Sequence, residues 1–175
     1  EDNDHVGGAE SVLQMVPTDW LLSSLPVGHP LPMIAQRHLS CVDGQRWRWD
    51  GVAFEVLYPQ PQSYLNPPRK TNNMSCAIRV TSAHGSVLLT GDIEAVDERR
   101  LLSRHAEALR SDVLVVPHHG SNTSSTAEFL SAVGASRAVF SAGYRNRFGH
   151  PRQKVLERYR ARNTTLFRND EDGAV

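Results

Sequence analysis

Three short segments carry the residue types that hold divalent cations or move protons: Asp2-Asn3-Asp4-His5, Gly91-Asp92 and His118-His119-Gly120. Carboxylates and imidazoles ligate hard and borderline metals, and imidazole changes charge near neutral pH. Taken singly, each segment has an ordinary structural role: Asp4-His5 and Asp92 suit helix caps, and paired histidines suit a polar loop. Position raises the set above its parts. Asp92 and the histidine pair each follow an apolar run, VLLTGD and DVLVVPHHG, that reads as a strand. Side chains at the ends of neighbouring strands converge on one edge of an α/β sheet, where a binuclear metal site can be assembled from distant parts of a chain.

The surrounding pattern supplies such strands. After His5 a glycine pair leads into a short helix that Pro17 stops; Trp20 to Ser23 suits a strand and Leu31 to Leu39 a helix. Trp47, Trp49, Val52, Phe54, Val56 and Tyr58 alternate across Asp50-Gly51, a strong β-hairpin signal. The proline-rich stretch PQPQSYLNPPRKTNN reads as a long surface loop. Cys76 to Val80 and Ser86 to Thr90 form a second hairpin about Ala83-His84-Gly85, with His84 a surface residue in the turn. A helix over Glu94 to Leu109 then leads to a strand over Asp112 to Val116. Further cycles place a loop at Pro117 to Ser121, a helix from Ser125 to Val133, a strand from Arg137 to Ser141, a helix beginning at Pro151 and a strand near Thr165. Hairpins first and strand-helix alternation later predict a layered α/β domain.

Composition bounds the function classes. A chain of 175 residues, 39% hydrophobic and 22% charged, suits one globular domain, and no apolar run approaches the roughly 20 residues that cross a bilayer. Net charge is zero, so its sum gives no argument for a nucleic-acid partner. Placement says more: Arg145, Arg147, Arg152, Lys154, Arg158, Arg160 and Arg162 share their stretch with Glu157 as its only acid, which suits either a solvated helix face or phosphate attraction. The two cysteines, Cys41 and Cys76, exclude a zinc ribbon; they suit a bridge in an oxidising compartment or two buried thiols.

The order Asp-x-Asp-His-x-Gly-Gly, Thr-Gly-Asp, Val-Val-Pro-His-His-Gly-Ser resembles the metallo-β-lactamase superfamily, and within it the C-terminal domain of the ComEC competence family. The resemblance rests on DNDHVGG, NNMSC, VLLTGD, DVLVVPHHGSNTSS, FGHP and WRWDGVAFEVLYP, and so spans nearly the whole chain. It implies a metallo-β-lactamase αββα sandwich over residues 1–175, incomplete at its N-terminal side. The superfamily's first motif usually reads His-x-His-x-Asp-His; Asp4 and His5 take its last places, Asp2 stands for the second histidine, and the first would precede Glu1. The expectation is a chain that begins inside its first metal motif and, as it stands, has weak or no activity.

The resemblance further implies Asp2, Asp4, His5, Asp92 and His119 as metal ligands, with Asp92 bridging two divalent ions. Asp4 and His118 are the catalytic candidates, His118 as proton donor or phosphate contact. Asn73, Ser75, Ser121, Ser124, Arg147 and His150 are candidate substrate contacts. Carboxylate at Asp2 and amide at Asn73, in place of imidazole, favour Mn²⁺, with Zn²⁺ the alternative; no organic cofactor is implied. Two adjacent cations suit phosphodiester hydrolysis. The leading expectation is a nuclease that degrades the non-imported strand of incoming DNA, on the extracytoplasmic side of a bacterial inner membrane, joined to a transmembrane channel domain of the same protein. The alternatives are a phosphocholine-type or other small-substrate phosphodiesterase and a non-catalytic DNA-guiding domain.

Overall fold

A computed structural model describes residues 2–174 of the chain. Glu1, on which the expectation of a first motif cut short depends, lies outside the described residues. The first forty residues form small elements: helix α1 (Asn3–Val6), helix α2 (Ala9–Met15), strand β1 (Leu21–Ser23), helix α3 (Leu31–Ile34) and strand β2 (His38–Ser40), with β1 and β2 paired in parallel. The helix expected over Leu31 to Leu39 is thus a single turn followed by a strand. Pro30 and Pro32 suit a helix start but supply no N–H donors, Ala35 is already extended, and His38–Ser40 satisfies its backbone against β1.

The main body is one seven-stranded sheet whose strands follow chain order: β3 (Arg46–Trp49), β4 (Val52–Tyr58), β5 (Ala77–Ser82), β6 (Gly85–Leu89), β7 (Val113–Val115), β8 (Arg137–Phe140) and β9 (Thr165–Arg168). β3 to β6 pair antiparallel and β6 to β9 pair parallel. Asp50 and Gly51 both have positive φ at the β3–β4 turn, the geometry that matches the twist of a two-residue hairpin. The parallel strands need crossovers, which helices α5 (Ala95–His105), α6 (Ala127–Val133) and α7 (Gln153–Arg160) provide. The expected proline-rich loop holds a helical turn, α4 (Pro61–Leu65), and a 3-10 turn at Thr71–Met74; a last turn, α8 (Asn169–Asp172), follows β9.

One sheet face is closed by the crossover helices. Leu88, Leu114 and Ala138 lie in register across β6, β7 and β8 and are buried with Leu101, Phe129, Val133, Val155 and Tyr159. Strand alternation sends their neighbours to the other face. There Phe54, Val80, Val87 and Val113 form one register row and Val115, Val139 and Phe167 another, all half-buried, while Leu89 is 39% exposed. A sheet apolar on both faces is the inner layer of a sandwich. The α/β class expected from sequence is the one observed, with one large sheet among the described residues.

The start of α5 is fixed by buried acids. Glu98 accepts hydrogen bonds from the backbone N–H groups of Ser125 (2.5 Å) and Thr126 (2.8 Å), so α5 caps the segment that enters α6. Asp97 accepts from the Glu94 N–H and from the Tyr58 hydroxyl at 2.9 Å. Burial, and then the Asp97 charge, push the Tyr58 phenol up to about 12, so it remains a neutral donor at physiological pH.

Cys41 and Cys76 are joined in a disulfide with Cα atoms 6.0 Å apart, tying the end of β2 to the start of β5. A bridge across 35 residues removes chain entropy from the unfolded state worth about 4 kcal/mol. Cys41→Ser should therefore lower the unfolding free energy by that order, and the denaturant midpoint with it. Dithiothreitol should bring the parent protein down to the variant and leave the variant where it is; equal midpoints with and without reductant would show that the bridge contributes nothing.

Candidate metal centre

Four of the expected ligands meet at the carboxyl ends of the parallel strands. Asp4 and His5 come from α1, Asp92 from the turn after β6, and His119 from the 3-10 turn Pro117–Gly120 after β7. One ligand atom from each lies within 4.8 Å of all the others. Donors about 2 Å from a common ion stand roughly 3–4 Å apart, so the cluster has the dimensions of an ion's coordination shell.

The chemistry of His119 argues the same point. Its Nδ1 lies 2.5 Å from the Ser141 carbonyl, which only accepts, so Nδ1 carries the proton. In the neutral ring the lone pair on Nε2 then faces Asp4 Oδ2 at 3.0 Å and Asp92 Oδ1 at 3.4 Å, and this buried atom makes no hydrogen bond. Acceptors directed at acceptors repel unless a cation stands among them. His5 Nε2 closes the ring, 3.1 Å from Asp92 Oδ2 and 3.9 Å from Asp4 Oδ2. Two carboxylates and two imidazoles fit one divalent ion; a second ion would need further donors.

The backbone is bent to present these groups. His118 and His119 both have positive φ, at 51° and 53°, and Gly120 follows at 83°. Left-handed backbone at residues with a side chain costs about 1–3 kcal/mol each and gathers at functional sites. Gly120 has no substitute: a Cβ there would stand 2.7 Å from Pro151 and 3.1 Å from the Phe140 ring. Gly91 is constrained in the same way, left-handed and with a Cβ position 3.0 Å from Ser75.

The other expected residues fall into different places. Asp2 is exposed and precedes α1, outside the four-residue cluster. His118 turns from the cluster: Nδ1 is 3.1 Å from Thr123 Oγ1 and 3.7 Å from Glu94 Oε1, and Nε2 is 3.4 Å from Asn72 Nδ2. Ser75 Oγ accepts from the Asp92 N–H at 3.0 Å and so holds the ligand turn. Ser121 Oγ lies 3.1 Å from Thr123 Oγ1, and Ser124, 1% exposed, donates to the Pro117 carbonyl at 2.8 Å. Both hydroxyls are engaged within the loop instead of facing solvent. Asn73 is buried with Oδ1 unpaired. The His150 ring lies 5.8 Å from that of His118, and Arg147 packs over Phe148.

Electrostatics follow from the crowding. The Asp92 hydrogen bond, against the opposing effect of burial, raises His5 above the usual imidazole range. Burial works to raise Asp92, but the His5 hydrogen bond and the charges of His119, His5 and His118 together hold it below the usual carboxylate range. Burial, with the neighbouring His118 and Arg152, lowers His150, which is neutral at physiological pH. Sequence reading did not find Asn72, Thr123, Glu94 or Ser141, which orient the two loop histidines. Three of these contacts run through hydroxyl, amide or carboxylate groups of ordinary loop composition, and the Ser141 contact is a main-chain carbonyl that no side-chain pattern marks.

No protein-family profile matches the chain. It is 39% identical over 174 residues to competence protein ComA of Neisseria gonorrhoeae, covering 99% of the chain and 23% of that protein. Recombination protein 2 of Haemophilus influenzae is 35% identical over 90% of the chain and 19% of its own length. ComE operon protein 3 of Bacillus subtilis is 29% identical over 99% of the chain and 23% of its length. The chain thus spans about a fifth of the length of these curated relatives. Among solved structures, a Parabacteroides distasonis protein assigned as a metal-dependent hydrolase superposes with a TM-score of 0.52 at 11% identity, covering 90% of this chain and 79% of that one. At that identity the likeness is one of fold alone: the chain shares its layered α/β architecture with that protein.

Two outcomes follow from this geometry. An incoming ion must displace the proton that His5 holds to a higher pH than a free imidazole. Manganese affinity measured by calorimetry should be level above that raised pKa and fall about tenfold per pH unit, for each proton displaced, below it. Without the ion the sign reverses: the His5–Asp92 pair stabilises the fold fully below the unfolded imidazole pKa, and loses that contribution as pH rises through the folded one. An affinity independent of pH between 5 and 8 would remove His5 from the ligand set. Gly120→Ala should cost about 2–4 kcal/mol of stability and weaken metal binding, through strain in the histidine turn; a variant of parental stability would show that the turn relaxes freely.

Proposed function

The chain is homologous to a stretch of the ComEC competence proteins, and on that premise we propose that it is the metal-dependent nuclease unit of a DNA-uptake protein, hydrolysing the strand that is not imported. The observation that carries the reading is the convergence of Asp4, His5, Asp92 and His119, two carboxylates and two imidazoles, at the open end of the parallel strands. Manganese is favoured over zinc because half of the gathered donors are carboxylates; the second ion of a pair would draw on donors beyond these four. When bound, such ions polarise a phosphoryl oxygen and acidify water. The chain's own residues do the rest. Ser141 fixes the His119 tautomer, Ser75 holds the turn that carries Asp92, and His118, steered by Asn72 and Thr123 to the edge of the cluster, donates a proton to the departing oxygen.

Openness favours a polymer over a small diester. Small-molecule sites enclose most of their ligand, whereas Asp4 is 56% exposed by side chain, and the cavity of about 320 Å³ in the structure is lined by none of the four donors. The basic stretch between β8 and β9 serves in part as structure: Arg158 donates to the Ser124 and Ser125 carbonyls and Arg162 to that of Ala127. Arg145, Arg147, Arg152, Lys154 and Arg160 are left for phosphate. The disulfide supports an extracytoplasmic location. No helix among the described residues is long and apolar enough to cross a membrane.

The test uses the full-length protein with labelled DNA and added Mn²⁺, Zn²⁺ or chelator. Cleavage should require metal and vanish in Asp92→Ala. His118→Gln should lower the rate by about 10²–10⁴-fold with metal affinity unchanged, the range for loss of a general acid. Cleavage that persists in Asp92→Ala would sink the proposal, and turnover of small phosphodiesters but not DNA would favour the phosphodiesterase reading.

A further inference from the structure

The loop between β8 and α7 holds two large aromatics in the open: Tyr144 is 72% exposed and Phe148 56%. Each is flanked by an arginine, with the Arg145 guanidinium 5.1 Å from the Tyr144 ring centre and that of Arg147 4.8 Å from Phe148. Phe148 also begins a series of rings that leads inward. It lies within 17° of parallel to His150, centroids 6.0 Å apart; His150 stands 5.8 Å from His118, and His118 stands 6.4 Å from the ligand His119.

The loop is held in this shape before anything binds. The Asn146 side chain donates to the Gly143 carbonyl at 3.0 Å and the His150 carbonyl at 2.6 Å, and accepts from the His150 N–H at 2.9 Å. Two further backbone bonds, Asn146 N–H to Gly143 and Gly149 N–H to Asn146, close the turn. Aromatics presented on a pinned loop lose little freedom on binding. Among the described residues, no hydrogen bond or buried apolar cluster makes use of the Tyr144 and Phe148 side chains.

We infer that Tyr144 and Phe148 are a base-stacking platform that grips unpaired nucleotides of a single strand and feeds the adjoining phosphate to the metal centre. The inference rests on the nuclease reading and adds a substrate class to it. Exposed rings interleaved with arginines suit a ligand that alternates flat faces with anionic groups, and a polynucleotide strand does so. A base-paired duplex hides its base faces, so the platform selects for single strands. The neighbours of the rings are Arg145, Asn146 and Arg147, so the charge beside them complements the phosphates of a strand.

The experiment compares binding of a labelled oligothymidylate with that of an abasic oligomer of equal length and charge. It uses full-length protein with chelator present so that the strand stays intact. The parent should prefer the base-bearing strand. Phe148→Ala should weaken oligothymidylate binding between about five- and a hundred-fold and leave abasic binding within about twofold; Phe148→Trp should restore it. Arg147→Ala should weaken both strands and flatten the salt dependence. Equal affinity of the parent for the two oligomers, or equal effects of Phe148→Ala on both, overturns the platform and returns the loop to a protein or lipid contact. Cleavage is scored separately, so a base preference that depends on Phe148 without any nuclease activity would sink only the catalytic reading.

Discussion

An imidazole nitrogen held against two carboxylates is the constraint around which the metal centre is arranged. His119 cannot turn away, because its other nitrogen is bonded to the Ser141 carbonyl beyond β8. Asp92 cannot retreat, because its backbone is tied to Ser75 and its turn is packed against that residue. Adjacent acceptors of this kind are unfavourable in any apolar or half-buried setting unless a cation neutralises them. The strand ends therefore form a place where positive charge is required, and strain, burial and hydrogen bonding all keep it so.

The rest of the fold serves that arrangement. Parallel pairing of β6, β7 and β8 puts three consecutive strand ends on one edge, and the buried row Leu88, Leu114 and Ala138 fixes their stagger. The left-handed run from His118 to Gly120 then separates two adjacent imidazoles: one faces the cluster and the other faces Asn72 and Thr123. Neighbours in sequence acquire different chemistry because the backbone between them is bent in a way that an extended strand end would not allow.

What was legible in the sequence divides along physical lines. Strand ends, the Asp50-Gly51 hairpin and the crossover helices were readable because periodicity and turn chemistry are local. Asp92 and the histidine pair stand out by residue type after apolar runs; Asp4, His5 and the choice of His119 over His118 came from the resemblance, which also named Asp2, a residue outside the cluster. Hydroxyl direction was not legible: Ser121 and Ser124 were candidate substrate contacts, yet their oxygens are engaged by Thr123 and Pro117. The same limit separates Asn72 from Asn73, where a 3-10 turn decides which amide meets His118. Glu98 looks like a solvated helix residue and is fully buried, because its partners are backbone N–H groups that no sequence pattern displays. The length of the Leu31 helix also escaped, since the strand that takes over its last two residues depends on a partner seventeen residues upstream.

The donors are drawn unequally from the chain. Asp92 and His119 belong to the sheet, whereas Asp4 and His5 ride on α1, and neither α1 nor α2 buries a single residue. An ion held by all four is thus a clasp between a well-packed body and a leading segment with little hydrophobic attachment of its own. Metal occupancy and docking of that segment become one linked equilibrium, in which free ion concentration sets the fraction of molecules whose N-terminal helix is in place.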